Sequence, residues 1–365
     1  MNHPFTNIKK NFAFGMMRLP MIGDEVDLPQ TCQMVDAFME AGFNYFDTAH
    51  PYIQGKSETA VRDCLAKRYP RESFVLTNKL SSFCFEKEEE IRPLFADQLE
   101  KCGVEYFDFY LHHAMSAERH EKHTRTKAYE IVKEFKVQGK IRHIGMSFHD
   151  SAEVLDKILT DQPEIEVVQL QLNYVDWEDP NVQAHACYDV CVKHGKPVLV
   201  MEPVKGGSLA NLPDNAAALM TDYSPAGYAL RFCGSQDQVI MILSGMSNLE
   251  QMQDNLATMG DFKPLTDAEY EMIDKVRTIY QGMHKIPCTN CRYCVDGCPA
   301  GILIPDLFAT FNTKKRNKEG NTADADYAAF EVKASACVGC GQCEDACPQK
   351  LQIRKLLEEA HKNLA

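Results

Sequence analysis

Between Phe12 and Tyr280 an apolar run followed by a segment of helical spacing recurs about eight times, a rhythm that few folds accommodate. The runs begin at Phe12, Tyr45, Phe74, Tyr106, Ile141, Val167, Pro197 and Val239. Each is short and bounded by Gly, Pro or polar residues, so each reads as a strand. The segments between them carry helix punctuation. Asp27 and Pro29 open one that Gly42 stops, Ser57 can cap a second, Lys87 to Cys102 is a charged amphipathic stretch, and Gly139 and Gly195 end two more. Strands that alternate with helices pair in parallel, because a parallel return needs a long crossover. An open doubly wound sheet shares the rhythm. It needs a glycine-rich phosphate turn after its first strand, and Gly15-Met16-Met17 is not one. The expectation is an α/β fold, a (β/α)8 TIM barrel of about 250 residues.

The rest of the 365-residue chain is of another kind. The boundary is expected at residues 281–282, with the barrel in 1–281 and a second domain in 282–365. Cys288, Cys291, Cys294 and Cys298, followed by Pro299, form a Cys-x2-Cys-x2-Cys-x3-Cys-Pro run, and Cys337, Cys340, Cys343 and Cys347 with Pro348 repeat it. In two-cluster ferredoxins the fourth cysteine of such a run ligates the other cluster. By that rule Cys288, Cys291, Cys294 and Cys347 hold one [4Fe–4S] cluster and Cys337, Cys340, Cys343 and Cys298 the second, in a helical ferredoxin-like domain. A pair of zinc sites is the alternative, but zinc knuckles use two Cys-x2-Cys pairs and leave a third close thiolate without a role. The basic link from Thr313 to Gly320 reads as a solvated loop, with a docking patch as its alternative. Cys32, Cys64, Cys84, Cys102, Cys187, Cys191 and Cys233 are scattered and read as small buried hydrophobes.

A net charge of -13 argues against a nucleic-acid groove, which needs a concentrated cationic footprint. No stretch approaches the roughly 18 uninterrupted apolar residues of a membrane span, and the first residues show no signal-peptide core. The cysteines sit in metal-type runs, not in the pattern of a secreted disulfide scaffold. A cytoplasmic protein that binds neither membrane nor nucleic acid is expected.

Chemistry collects where the first strands end. The run from Tyr45 closes on Asp47, and Pro51 places Tyr52 on a loop. Lys79 ends the next run, and His112 and His113 the one after. An Asp at a strand end can be a structural cap, and a His after an apolar run a satisfied core residue. Taken together the set suits reversible carbonyl reduction. A phenol is a weak acid at neutral pH, but a nearby ammonium favours the phenolate, a carboxylate keeps that ammonium charged, and an imidazole can steady the developing oxyanion.

These residues resemble those of the aldo-keto reductases, and the tail resembles the iron–sulfur branch of that superfamily. The resemblance covers about Phe12 to Tyr280. Asp-Thr-Ala-x-x-Tyr implies Asp47 and Tyr52 as two members of the family's catalytic tetrad, Thr-Asn-Lys implies Lys79, and Asp-Phe-Tyr-Leu-His-His implies His113, with His112 pointing the other way. It also implies nicotinamide contacts from Ser147 and Gln169. Phe148 stands where the family commonly has Asn, and Met201 where an aromatic ring often stacks on the nicotinamide. The stretch from Gly245 to Asn255, with Ser247 and Gln251, is similar to the adenosine-phosphate segment at a helix start. It contains no Arg or Lys to favour a 2′-phosphate, so NAD(H) stands as the alternative to NADP(H), the family default. Gly206, with Gly207 and Ser208, is either a loop over the pyrophosphate or an ordinary turn.

The resemblance implies an NAD(P)H-dependent oxidoreductase acting on a small carbonyl or alcohol, with two iron–sulfur clusters for electron transfer. Electron counting complicates the picture. A nicotinamide moves two electrons as hydride and a cubane passes one, so the halves need a go-between, a flavin or an external one-electron partner. Two other readings follow: an electron-transfer protein whose barrel is a docking scaffold, and clusters that only stabilise the tail.

Overall fold

The computed structural model describes residues 5, 7–283, 285–315 and 322–365. They form two compact units, Met1–Val204 with Asp222–Thr266, and Lys205–Thr221 with Asp267–Ala365.

The first unit is built on eight parallel strands: β1 (Phe12–Gly15), β2 (Tyr45–Asp47), β3 (Val75–Ser81), β4 (Phe107–Met115), β5 (Ile141–Phe148), β6 (Val167–Gln171), β7 (Val198–Met201) and β8 (Val239–Gly245). Each pairs with its sequence neighbours, and β8 returns to β1, so the sheet closes into the expected barrel. Along a strand alternate side chains point inward. Ala13, Tyr45, Val75, Phe109, Leu111, Val167, Leu199, Met241 and Leu243 accordingly fill the interior as one buried cluster. Gly145 belongs to the same inward set, and its lack of a side chain is required there. A Cβ at 145 would lie 2.5 Å from both Leu111 Cδ2 and Val167 Cγ2.

Continuing that inward set towards the strand C-termini leads from Tyr45 to Asp47, from Val75 to Lys79 and Ser81, from Leu111 to His113, from Gly145 to Ser147, from Val167 to Gln169, and from Leu199 to Met201. The apolar core and the polar mouth are thus successive layers of one surface.

The outer helices follow their punctuation. Asp27 accepts from the Gln30 amide at the start of Leu28–Glu40, and Ser151, Ser224 and Asn248 cap Ala152–Asp161, Pro225–Gly234 and Leu249–Gly260. The small antiparallel hairpin Met21–Ile22/Glu25–Val26 and the helices Ala117–Arg125 and Pro225–Gly234 are additions to the sequence reading. Their segments are respectively too short, too polar and too interrupted by glycine to give a clear period.

The second unit is helical. Asp267–Gln281, Ile304–Lys315, Ala323–Ala329 and Ile353–Leu364 are its helices of a turn and a half or more. Ile353, Leu357, Ala360 and Leu364 form one helical stripe, packed in a core with Ile302, Leu307, Phe308, Phe311 and Tyr327. In the link expected to be a loop, Thr313, Lys314 and Lys315 end a helix, and 316–320 lie outside the described residues. No described helix is long and apolar enough to cross a membrane.

Candidate active site

Three donors on one ammonium organise the barrel mouth. Lys79, fully buried, reaches Asp47 Oδ1 at 2.5 Å, the Thr48 carbonyl at 2.9 Å and the Tyr52 hydroxyl oxygen at 3.2 Å. An ammonium has three N–H groups and no acceptor. Tyr52 therefore receives a hydrogen bond from Lys79 and cannot return one. The His113 and Tyr52 rings lie 6.0 Å apart between centroids, and His113 Nδ1 is 2.5 Å from Ser81 Oγ. When Ser81 donates in that bond, Nε2 carries the imidazole hydrogen.

Burial sets the electrostatics. It raises the Asp47 carboxyl and lowers the Lys79 ammonium, each effect opposed by the partner's charge and hydrogen bond. Gln169 Nε2 also donates to Asp47 Oδ2, at 3.3 Å. Burial, with the Lys79 charge second, holds His113 well below the ordinary imidazole range, so it is a neutral donor at physiological pH. His112 points away from the mouth, with its ring centroid 5.1 Å from His123 and 4.5 Å from Tyr129.

The other strand ends surround this group. Ser147 Oγ accepts from the Ala114 amide at 2.7 Å, which leaves its O–H as a donor. Met201 is half-buried at the end of β7. At the end of β8, Gly245 lies under Arg18, and a Cβ there would come within 3.1 Å of Arg18 Cδ. Ser247 Oγ donates to the Arg18 carbonyl, and Gln251 accepts from the Ser247 amide at the N-terminus of Leu249–Gly260. Asn255 is buried and donates to Ser244 Oγ at 2.8 Å. Gly206 belongs to the second unit. Its left-handed backbone, φ 63°, passes so close to Thr289 that a Cβ would sit 2.6 Å from the Thr289 carbonyl oxygen. That turn therefore has a packing reason of its own.

In the second unit Cys288, Cys291 and Cys294 line one cavity together with Cys347, the last cysteine of the other run. Ile304, Phe308, Leu351 and Ile353 supply apolar walls. The two runs also share a backbone form. Left-handed residues flank the second cysteine of each, Asn290 (φ 55°) and Arg292 (φ 65°) around Cys291, Gly339 (φ 75°) and Gly341 (φ 84°) around Cys340. Such alternation turns amide hydrogens into a concavity, a geometry that suits an anionic group.

Residues 11–278 match the aldo/keto reductase family, and residues 287–351 match the 4Fe-4S dicluster domain. The chain belongs to the aldo/keto reductases. Among curated relatives of this aldo/keto reductase, the NADH-specific methylglyoxal reductase of Escherichia coli is 26% identical over 275 residues, spanning 62% of the chain and 82% of that protein. Among solved structures, the holo form of a Bacillus halodurans aldo-keto reductase has a TM-score of 0.62 at 25% identity, covering 73% of this chain and 92% of that one. A Klebsiella pneumoniae aldo-keto reductase in complex with NADPH has the same fold, with a TM-score of 0.60 at 18% identity, covering 74% and 95%.

Three residues of this aldo/keto reductase site escaped the sequence reading. Ser81 had a signal, since it lies two positions beyond Lys79 and so on the same face of β3. Arg18 packs its side-chain carbons over Gly245, in a segment without Arg or Lys, and its guanidinium lies 3.8 Å from Glu202 Oε1. Only the β8–β1 pairing brings it there. Glu58, six residues after Tyr52, is fully buried, and nothing in its local sequence marks it as such.

Proposed function

We propose that the chain is an NAD(P)H-dependent carbonyl reductase whose proton donor is Tyr52, with two [4Fe–4S] clusters in its second unit. The observation that carries this reading is the chain Asp47–Lys79–Tyr52, closed by one ammonium inside the barrel mouth. A bound nicotinamide would supply the hydride that the carbonyl carbon receives. Tyr52 releases its hydroxyl proton to the carbonyl oxygen, because Lys79 occupies its lone pair and stabilises the phenolate left behind. Asp47 keeps Lys79 charged in a site where burial opposes that charge. His113, oriented by Ser81, donates through Nε2 to the same oxygen.

The strand-end residues Ser147, Gln169 and Met201 would hold the nicotinamide, and Gly245, Ser247, Gln251 and Asn255 would form the adenosine end. Arg18 adds the positive charge that a phosphate there requires. Cys288, Cys291, Cys294 and Cys347 would ligate one cluster and Cys298, Cys337, Cys340 and Cys343 the other. Four thiols, three from one run and the fourth from the other, line a single cavity. That arrangement suits a multi-atom cluster better than a zinc ion.

Tyr52→Phe tests the carbonyl half. With methylglyoxal and other small aldehydes as probes, NAD(P)H oxidation should fall by about 10²- to 10⁴-fold while the cluster absorbance is unchanged. Undiminished turnover would remove Tyr52 from the mechanism.

A further inference from the structure

Tyr52 stands at the start of an unusual turn. Ile53 (φ 51°, ψ 43°), Gln54 (φ 54°, ψ 40°) and Gly55 (φ 84°) are all left-handed in succession. Gly adopts that conformation without strain, but a β-branched residue does so only where its surroundings impose it. Two side-chain bonds close the loop across this turn. Thr48 Oγ1 meets Ser57 Oγ at 2.7 Å, and His50 Nδ1 meets Glu58 Oε2 at 2.9 Å.

Glu58 has a second arm. Its Oε1 accepts from Asn78 Nδ2 at 2.8 Å. Asn78 Oδ1 in turn accepts from the Lys79 amide at 2.8 Å and from Gln98 Nε2 at 3.0 Å, and Gln98 Nε2 also donates to the Lys79 carbonyl at 3.0 Å. Tyr110 fixes Gln98 from the other side, through a 2.5 Å bond to its Oε1. One fully buried carboxylate is thus bonded both to the loop that carries Tyr52 and to the strand end that carries Lys79. Asn78 and Gln98 are wholly buried as well, between strand and helices where a barrel ordinarily packs apolar side chains. Stability does not explain the set, because well-packed apolar residues commonly serve as well in such places.

We propose that Glu58 is a positioning residue that holds Tyr52 and Lys79 in register, keeping the strained Ile53–Gln54–Gly55 turn in place through His50. The inference rests on the reading of Tyr52 as the proton donor. Glu58→Met keeps the volume and removes both arms. His50→Leu leaves the Asn78 arm in place and removes the arm to the Tyr52 loop, together with a 3.8 Å contact to Asp97 Oδ2. In each, the turn relaxes and Tyr52 withdraws from Lys79.

The experiment follows the Tyr52 phenol by ultraviolet titration, as the difference between each variant and the same variant carrying Tyr52→Phe. In Glu58→Met the Tyr52 titration should move alkaline by about one pH unit, and kcat for methylglyoxal should fall by about tenfold or more with KM for the nicotinamide unchanged. His50→Leu should give a smaller shift in the same direction. Adding Ile53→Gly to His50→Leu, which lets the turn stay left-handed without strain, should restore the titration. An unchanged titration in folded Glu58→Met, or no recovery with Ile53→Gly, overturns the proposal. If Glu58→Met does not fold, the half-exposed His50 arm and its glycine rescue decide the matter. The titration reads position and not turnover, so it stands even if Tyr52→Phe proves Tyr52 not to be the acid.

Discussion

At the scale of single residues the mouth depends on which groups hold protons. Ser81→Ala removes the hydrogen bond at His113 Nδ1 and should lower kcat with the carbonyl probe by about tenfold and leave NAD(P)H affinity unchanged, as steady-state kinetics would show. Arg18→Met should weaken NADPH by about tenfold and NADH less, measured by fluorescence titration. The buried imidazoles make a further prediction. Burial pushes His112 and His113 well below 6.5 and His123 to about 4, so the folded state prefers them neutral. The unfolded chain binds protons first on acidification. The stabilisation is complete above about pH 6.5 and is lost as pH falls, in the case of His123 down to about 4. His123→Gln should flatten that loss by on the order of 3 kcal/mol in urea titrations. Asp47, Tyr52, Lys79 and His113 were legible in the sequence because each follows a strand-like run with its own local signal. Arg18 and Glu58 were not, because their partners arrive only through barrel closure and burial.

At the scale of elements, strand parity connects core to mouth. A substitution deep in a strand should act through packing and not through chemistry. Gly145→Ala drives a methyl into Leu111 and Val167 and should cost about 1–3 kcal/mol, read as a lowered thermal midpoint, with altered turnover only through displaced Ser147. Strands were legible as short apolar runs between breakers. The hairpin at 21–26 and the helix at 117–125 were not, since neither buries enough apolar surface to leave a period. Gly206 shows a different limit. Its sequence left a pyrophosphate loop and an ordinary turn equally open, and the backbone there packs against Thr289 within the first cysteine run.

At the scale of the molecule, two units with different chemistry share one chain. The cysteine runs were legible because their spacing is itself the ligand pattern, and the cavity adds that Cys347 stands with the first run. Cys347→Ser should therefore lose the same paramagnetic signal as Cys288→Ala, while Cys298→Ser should match Cys337→Ala, each with about half the iron gone. Grouping by run instead would break the crossed assignment. The crossing also bears on biosynthesis. The wall that receives Cys288, Cys291 and Cys294 lacks its fourth thiol until the chain has been translated past residue 347, long after β8 has left the ribosome. A cluster held by this set would therefore be completed late, on a polypeptide whose barrel half is already synthesised.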